Sequence, residues 1–281
     1  MLEQVYRSIL RAGDTAIDVG AHVGRHTVPM AGAVGQAGRV HSFEPLPFAY
    51  QALVKRLGED QALQVTPRNL ALGEEEGEAE FTFVPDFPEY SGFKERKYHS
   101  DSLRKETIRV QVRRLDSFKE EFGKVRFIKV DAEGGELTIL RSGRALIEAS
   151  QPIVSFELGN AALINYSYEA GDYFDFFAGL GYRVHSIFGL PLTKDQFVAH
   201  AERQFFWDYV ALPAGEAWFF NHSHLEVLVR QLAAAEEHVQ ARAAAEAKLS
   251  EVLNSRTWRL TAPLRRAKDA IQSAREKGWN R

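Results

Sequence analysis

The chain has 281 residues, 45% of them hydrophobic and 26% charged, so it can bury a substantial core as one large domain or as one domain with an appendage. A formal net charge of -3 gives no general attraction to nucleic acid, which disfavours a nucleic-acid-binding protein with a basic groove. The absence of cysteine excludes a disulfide framework, a thiolate metal site and a cysteine nucleophile.

The amino-terminal segment, residues 1–11, carries the charged side chains Glu3, Arg7 and Arg11 and lacks the apolar core of a signal peptide. Elsewhere, no run of residues is long and apolar enough to span a bilayer. These two observations predict a cytoplasmic location.

The first informative element is an apolar run at residues 16–19 that breaks into two closely spaced glycines, Gly20 and Gly24. It predicts a strand, a nucleotide-binding turn and then a helix that runs to Val34, because glycine lets backbone amides approach a ligand closely. The three residues between the glycines, and Asp18 two positions before them, depart from the Gly-x-Gly-x-x-Gly fingerprint of dinucleotide sites. A nicotinamide-dependent oxidoreductase is therefore disfavoured.

The second predicted strand, residues 39–43, ends at Glu44 and Pro45. A carboxylate at the carboxyl end of the strand after the glycine turn lies beside the ligand crevice, where it can accept hydrogen bonds from both hydroxyls of a ribose. The alternative is a surface acid that begins the next helix together with Pro45 and Pro47. The order of glycine turn, strand and acid favours ribose binding.

A third strand is predicted at residues 63–67, and Ala71 and Leu72 follow it in a segment that either lines the adenine side of the crevice or turns into a hairpin. Alternating apolar and polar residues predict the two hairpin strands, 78–84 and 107–113. The irregular stretch between them is typical of a functional lid or mobile segment. Its aromatic and histidine side chains are candidates to cover a ligand or to pack beneath the loop: Phe87, Tyr90, Phe93, Tyr98 and His99.

A fourth buried strand is predicted at residues 127–130, and a cluster of acids and glycines, residues 131–136, follows it. The next segment, 137–147, is predicted to be helical. Because the cluster lies at the carboxyl end of a strand, it is expected to border the same crevice as the glycine turn.

Four motifs taken together resemble those of the FkbM family of methyltransferases: residues 18–24, 43–45, 69–73 and 129–136. The likeness covers about residues 12–212 and includes a core strand at 152–157 and a turn into the next strand at 181–184. The resemblance implies an α/β, Rossmann-like class I methyltransferase fold, a mostly parallel seven-stranded sheet with helices on both faces. It also implies S-adenosylmethionine as methyl donor and O-methylation of sugar or polyketide hydroxyls as the usual chemistry.

On this resemblance, the cofactor-binding residues are expected at the glycine turn and the strand ends: Asp18, Gly20, His22, Gly24, Glu44, Pro45, Ala71, Leu72 and Asp131. In this assignment Asp18, Gly20 and Gly24 shape the turn, and Glu44 holds the ribose. His22 either orients the methionine portion of the cofactor or packs locally.

Methyl transfer to a hydroxyl requires an acceptor oxygen in line with the methyl carbon and sulfur, and a group that takes the hydroxyl proton. The candidate bases are three acids at strand ends and three imidazoles: Asp131, Glu133, Glu157, His22, His99 and His185. Asp131 is the first choice, with helix capping or binding of the cofactor's amino group as its alternative roles.

A divalent metal is a further alternative, because carboxylates are ligands that magnesium accepts. The candidate ligands are Asp131, Glu133, Glu136 and Glu157. Their spacing does not show that any two converge on one point, and acids that begin a helix are common. No residue is therefore assigned to a metal.

Residues 205–211 predict an aromatic strand, one of an antiparallel pair that closes the sheet, and the methyltransferase domain is expected to span 1–213. The segment 214–254 is predicted to be a linker and one long helix, since residues 224–253 contain neither glycine nor proline. Heptads counted from Leu225 give an apolar seam with a polar break, which favours a coiled coil and a homo-oligomer over a helix docked on its own domain.

The tail, residues 255–281, resembles a short segment near the ends of bacterial glycosyltransferases and associated methyltransferases that act on cell-surface polysaccharides. It mixes Trp258 and Leu260 with several arginines, a combination that suits an anionic membrane interface or a protein partner. We expect peripheral contact with the inner face of the membrane or with glycosyltransferases.

The sequence thus predicts an S-adenosylmethionine-dependent O-methyltransferase whose acceptor is a hydroxyl of a sugar in a bacterial cell-surface polysaccharide or glycolipid. Nucleic acid is not expected as a partner. The alternative from a different class is a non-catalytic, methyltransferase-like scaffold that organises a glycan-assembly complex. Binding of S-adenosylmethionine distinguishes the two.

Overall fold

The computed structural model describes residues 1–86, 91–93, 104–159, 166, 168–216 and 248. The chain divides into two compact units, Met1–Phe220 and Asn221–Arg281. Within the second unit only Lys248 is described. The predicted long helix and coiled coil in 224–253, except that residue, and the tail 255–281 lie outside the described residues.

The described part of the first unit alternates strands with helices. Its strands are β1 (Thr15–Val19), β2 (Arg39–Phe43), β3 (Val65–Arg68), β4 (Ala71–Leu72), β5 (Gly77–Phe83), β6 (Glu106–Arg113), β7 (Phe127–Val130), β8 (Ile153–Glu157), β9 (Tyr182–Ser186) and β10 (Asp208–Pro213). Its helices are α1 (Leu2–Ile9), α2 (Thr27–Val34), α3 (Pro47–Glu59), α4 (Lys119–Phe122), α5 (Glu136–Ser142), α6 (Arg144–Ser150), α7 (Ala170–Gly179) and α8 (Lys194–Glu202).

Seven strands form the main sheet in the order β3-β2-β1-β7-β8-β10-β9. All are parallel except β10, which runs antiparallel to both of its neighbours. The strand order reverses between β1 and β7, and in open α/β sheets ligands bind outside the carboxyl ends of the strands at such a switch point. The predicted α/β class and the mostly parallel seven-stranded sheet are confirmed.

The register of the central strands places four predicted site residues side by side. Val19, the last residue of β1, pairs with Phe43 on β2 and with Val130 on β7, and Val130 pairs with Phe156 on β8. The residues at the carboxyl ends of these strands are therefore neighbours along the edge of the sheet: Gly20, Glu44, Asp131 and Glu157.

The strands bury both of their faces, as parallel strands covered by helices do. Ile17, Ile128 and Val154 pack in one apolar cluster with α5, α6, α7 and α8. Their sequence neighbours Ala16 and Phe127 belong to a second cluster with α1 and α2. Because successive side chains of a strand point to opposite faces, the two clusters show that helices cover both sides of the sheet.

A second, three-stranded sheet has the order β4-β6-β5 and contains the predicted hairpin. Strands β5 and β6 pair antiparallel along their whole length, from Gly77 opposite Val112 to Phe83 opposite Glu106. Their inward side chains, Phe81 and Val110 among them, pack on Leu46 and Ala71. This small sheet therefore sits next to the carboxyl end of β2, beside the crevice.

Two predicted elements differ from the structure. The helical segment 137–147 is divided into α5 and α6 at Gly143, whose φ of -108° and ψ of 17° are not helical. Leu115 packs against this glycine, where a Cβ would lie 2.5 Å from the leucine side chain. Asp116 then begins α6 by accepting hydrogen bonds from the backbone N–H groups of Ala145 and Leu146. The aromatic strand begins only at Asp208, and Phe205 and Trp207, which precede it, are each 55% exposed.

Among the described residues, no helix combines the length and the apolar character that crossing a membrane requires.

Candidate active site

A cavity of about 290 Å³ opens at the carboxyl ends of β1, β2 and β7, where the strand order reverses. Eight of the residues predicted for the site line it: Gly20, His22, Glu44, Pro45, Ala71, Leu72, Asp131 and Glu133. Asp18, Gly24 and Glu157 do not line it.

The glycine turn fits against the end of β7. Gly20 has a φ of 73°, and a Cβ on it would lie 1.7 Å from the backbone oxygen of Asp131. The N–H groups of Gly20 and Ala21 both donate to the carbonyl of Phe43, at 3.0 Å each. Position 20 therefore requires glycine, both for its positive φ and for the close approach of two strand ends.

Gly24 closes the turn from the outside. Its φ is 83°, and a Cβ there would lie 2.8 Å from Cδ1 of Leu53 on α3. Between the two glycines, His22 also has a positive φ, 48°, which is uncommon for a residue with a side chain. Gly24 thus shapes the turn by packing, whereas the His22 position presents its backbone N–H to Glu44.

Asp18 lies beneath the turn and does not line the cavity. The side chain is fully buried, and its Oδ2 accepts a 2.6 Å hydrogen bond from Thr27 Oγ1 at the start of α2. Its Oδ1 lies 3.4 Å from Nζ of Lys129. Asp18 therefore ties the strand before the turn to the helix after it, which agrees with the expectation that it shapes the turn.

Glu44 is held rigidly at the cavity wall with only 4% of its surface exposed. Its Oε2 accepts from the N–H of His22 at 2.7 Å and its Oε1 from the N–H of Leu46 at 2.8 Å. Burial raises the pKa of Glu44 to about 7, although the hydrogen bonds from the backbone N–H groups of Leu46 and His22 lower it. Each carboxylate oxygen retains a free lone pair, so the group can still accept hydrogen bonds from a pair of ligand hydroxyls.

The remaining cavity wall is largely apolar. It includes Leu70 just before β4, Leu72 on β4 and Ile139 on α5. Two more apolar side chains come from the β5–β6 region, Phe81 and Phe93. A pocket with an apolar wall and a few fixed polar groups is typical of a site for a nucleoside-sized ligand. Of the loop aromatics predicted to cover a ligand, Phe93 lines the cavity, and Phe87, Tyr90, Tyr98 and His99 lie outside the described residues.

An acidic cluster lies at the other end of the cavity. Asp131, Glu133 and Glu157 bring carboxylate oxygens to within 4.8 Å of one another. Glu133 has a φ of 58° in the sharp turn between β7 and α5, so its backbone is strained. The carboxyls of Asp131 and Glu157 lie close enough to share a hydrogen bond when one of them is protonated.

Glu157 is the member of this pair that binds a proton more readily. Removal from water, the bond to Asp131 and the nearby negative charges all raise the pKa of Glu157. Removal from water alone would raise the pKa of Asp131 as well, but the ammonium group of Lys129 and the hydrogen bond to Glu157 together outweigh it and lower that pKa. Opposite shifts in one pair assign an ionised role to Asp131 and a donor role to Glu157.

Lys129 was missed in the sequence because it stands within an apolar strand. It is 2% exposed, and its Nζ lies 3.2 Å from Asp131 Oδ2 and 3.4 Å from Asp18 Oδ1. The available signal was a lysine in a buried four-residue strand, since a fully buried lysine requires a counter-charge. Lys129 thus connects the base of the glycine turn to the acidic cluster.

Two other predicted groups lie away from the cavity. His185 is buried on β9, where its Nδ1 is 3.0 Å from the carbonyl of Arg183. Glu136 is buried on α5, and its Oε1 accepts from the N–H groups of Ala132 and Gly134 at 2.9 Å each. Glu136 therefore secures the loop that carries Asp131 and Glu133.

The four acids considered as metal ligands do not all meet. Asp131, Glu133 and Glu157 bring their oxygens together, with Lys129 against Asp131, whereas Glu136 is committed to backbone amides. Oxygen donors of the type that magnesium accepts are present, and no residue is assigned to a metal.

Comparisons with known proteins agree with this description. The family model described as the Methyltransferase FkbM domain matches residues 18–184. The AMB antimetabolite synthetase AmbE of Pseudomonas aeruginosa is 28% identical over 165 residues, which cover 47% of this chain and 8% of AmbE. The chain thus spans a small part of that relative.

Solved structures with similarity to the chain include two methyltransferases. The methyltransferase FkbM of Methylobacillus flagellatus is 19% identical, with a TM-score of 0.44 over 73% of this chain and 47% of that one. The O-methyltransferase TomG of Streptomyces achromogenes, solved in complex with S-adenosylmethionine, is 13% identical, with a TM-score of 0.44 over 76% of this chain and 78% of that one. Because the family model covers more than half of the sequence, the chain belongs to the FkbM methyltransferase family.

Proposed function

We propose that the protein transfers the methyl group of S-adenosylmethionine to a hydroxyl oxygen of a sugar, in a bacterial cell-surface polysaccharide or glycolipid. One observation carries the proposal. Strand register brings Gly20, Glu44 and Asp131 to the edge of one cavity at the point where the strand order reverses. Membership of a methyltransferase family adds the class of reaction.

The cavity residues suit the parts of this cofactor. Glu44 would accept hydrogen bonds from the ribose hydroxyls, and the apolar wall at Leu70, Leu72 and Ile139 would hold the adenine. Gly20 brings the ends of β1 and β7 together, and the methionine portion would lie along the cavity edge that they form. When bound, the sulfonium supplies an electrophilic methyl group, so the protein's main task is alignment of the acceptor oxygen.

Asp131 would orient the acceptor and take its proton. Its side chain is 34% exposed, and it lines the cavity as a carboxylate beside Lys129. The carboxylate of Asp131 would accept the hydroxyl proton as the acceptor oxygen takes the methyl group and the carbon–sulfur bond of the donor breaks. Glu157 keeps its own proton and donates to Asp131, which holds the carboxylate in place.

A second cavity of about 270 Å³ would receive the acceptor. It shares the wall residues Leu72, Phe93 and Gly135 with the first cavity and is lined on its other side by Tyr166 and Tyr168. The two tyrosine rings are almost parallel, with an interplanar angle of 16°. Aromatic faces suit the apolar C–H face of a sugar ring, and the Thr138 and tyrosine hydroxyls suit its polar edge.

Calorimetry of the full chain tests the cofactor site. We expect wild-type protein to bind S-adenosylmethionine and S-adenosylhomocysteine, and Glu44→Ala to bind each at least about tenfold more weakly, since a hydrogen bond to a charged group contributes about 1.5–3 kcal/mol. Glu75→Ala removes an exposed glutamate outside the cavity and serves as the matched control. If wild-type protein binds neither ligand, the non-catalytic scaffold is favoured over the enzyme.

Transfer of labelled methyl from S-adenosylmethionine into a fractionated extract of the native host tests the acceptor. A label in a glycan or glycolipid fraction supports the proposed sugar acceptor. A label confined to protein, nucleic acid or small aromatic molecules contradicts it.

Self-association through residues 224–253 and docking of the tail 255–281 at the membrane or on glycosyltransferases remain proposals from the sequence. Deleting residues 225–281 tests both. Unchanged oligomeric size in gel filtration and unchanged partition into anionic vesicles would contradict them.

A further inference from the structure

We propose that Lys129 is a positioning residue that decides which member of the Asp131–Glu157 pair carries their shared proton. By contacting Asp131 alone of the two, it keeps that side chain as the carboxylate in the cavity and leaves the proton on Glu157. The catalytic consequence rests on the proposed function, whereas the position of the proton is a property of the protein itself.

Strand register places Lys129 between the acids it serves. On β7, Lys129 pairs directly with Asp18 on the neighbouring β1. Its ammonium lies 3.4 Å from Asp18 Oδ1 and 3.2 Å from Asp131 Oδ2, and it also donates to the carbonyl of Val19 at 3.4 Å. An ammonium without access to water is stable only beside such counter-charges.

The single ammonium group of Lys129 can stabilise only a limited number of the carboxylates around it. Asp18 is fully buried and fixed by Thr27, so it stays beside Lys129 and compensates part of the ammonium charge. Asp131 holds the rest through direct contact. Glu157, which lies beyond Asp131 on β8, faces negative charge on Asp131, so its neutral form is favoured.

Further groups face the pair from each packed element, and none replaces Lys129. They are Tyr6 on α1, Arg25 and His26 at the glycine turn, Glu133 and Glu136 after β7, and Asp208 on β10. Burial and the charge of Lys129 lower the pKa of His26, so this imidazole is neutral near pH 7. Burial and Asp131 raise the pKa of Asp208 to about 6. Arg25 lines the cavity, where a ligand can reach it.

Three variants of the full chain test this role: Asp18→Asn, Lys129→Met and the double variant Asp18→Asn/Lys129→Met. Lys129→Met alone leaves the fully buried Asp18 and the partly exposed Asp131 without their counter-charge, so this variant is prone to unfold. The double variant removes the buried ion pair as a unit. Asp18→Asn is its matched background, because an asparagine oxygen can still accept from Thr27.

The readout is the titration of the Asp131 and Glu157 carboxyl carbons by ¹³C NMR in protein without ligand. Relative to Asp18→Asn, we expect the double variant to raise the lower apparent pKa of the pair by at least about one unit, a tenfold change in proton affinity. Equal titrations in these two proteins would overturn the proposal. If the double variant does not fold, the comparison of Asp18→Asn with wild type tests the proposal. Without the Asp18 carboxylate, the charge of Lys129 acts on Asp131 alone and must lower the lower apparent pKa of the pair. An unchanged pKa would contradict the proposal.

Calorimetry and methyl transfer separate this proposal from the proposed function. We expect the double variant to bind S-adenosylmethionine through Glu44 and to show an acid limb of the transfer rate shifted to higher pH than in Asp18→Asn. A pKa shift without cofactor binding in wild-type protein would contradict the methyltransferase function and leave the Lys129 role standing. Cofactor binding with no pKa shift would contradict the Lys129 role and leave the methyltransferase function standing.

Discussion

The two sides of the cavity are built by different physical means. At the ends of β1 and β2, backbone geometry determines the arrangement of the site. Gly20 has a positive φ and no room for a Cβ, and two backbone N–H groups fix Glu44. At the ends of β7 and β8, side-chain charges determine it, namely those of Lys129, Asp131 and Glu157. The first side is determined sterically and the second electrostatically.

This difference teaches where each side is vulnerable. A steric site fails when an atom is added and responds little to pH, whereas an electrostatic site fails when a charge is removed and responds to pH. Glu44 stands between the two cases, because backbone amides fix its geometry but burial controls its protonation. The following changes separate the steric and electrostatic contributions, in order of decreasing effect.

Gly20→Ala should have the largest effect. Its Cβ would overlap the backbone oxygen of Asp131 at 1.7 Å, and backbone atoms cannot rotate away as a side chain can. With the added cost of a positive φ, we expect a loss of at least about 3 kcal/mol in the free energy of unfolding, together with loss of cofactor binding. Urea unfolding and calorimetry measure the two effects.

Gly13→Ala is the matched control for that steric effect. Gly13 also has a positive φ, 92°, but a Cβ there meets nothing within 4 Å. It should cost only the backbone strain, about 1–2 kcal/mol. Equal losses in the two variants would show that the approach of the strand ends at Gly20 contributes nothing.

Glu44→Gln tests the protonation of the fixed carboxylate. The folded-state pKa of about 7 lies above the value of 4.5 for an unfolded glutamate, so the folded protein binds the proton more tightly. The contribution of Glu44 is therefore present in full below pH 4.5 and is lost as the pH rises towards 7. We expect the free energy of unfolding of wild-type protein to fall relative to Glu44→Gln over this interval, by at most about 3 kcal/mol.

Urea unfolding between pH 4 and 8 measures that difference, with Glu75→Gln as the control for loss of an exposed glutamate. Parallel pH profiles for wild type and Glu44→Gln would mean that Glu44 titrates normally and that its burial has little electrostatic consequence.

The same difference explains what the sequence could predict. The glycine turn, β2 and Glu44 lie within about 30 consecutive residues, and their roles follow from local rules on glycine, strand periodicity and strand ends. Gly20, His22 and Glu44 from this stretch line one cavity. The strands of the main sheet were predictable for the same reason.

The electrostatic side depends on contacts between distant residues. Lys129 meets Asp18 on the neighbouring strand, although 110 residues lie between them, and the buried strand predicted at 127–130 does not show which acids face the lysine. The break between α5 and α6 has a similar cause, because Gly143 accommodates Leu115 from a different segment. Local patterns thus located the acids of the cluster but not the cation that sets their charges.

Glu133→Gly should have the smallest effect on stability and sharpens the comparison, because this residue combines both kinds of constraint. Its φ of 58° is strained for a residue with a side chain, so glycine should raise the free energy of unfolding by up to about 1 kcal/mol. Gln61→Gly, at an exposed position with a φ of 51°, is the matched control for the backbone effect alone. Urea unfolding and the methyl-transfer rate of both variants measure the outcome. If Glu133→Gly gains stability as Gln61→Gly does while transfer slows, the strain is retained for its carboxylate in the cavity. If Glu133→Gly loses stability where Gln61→Gly gains it, contacts of the Glu133 side chain outweigh its backbone strain, and the loop is held by charge after all.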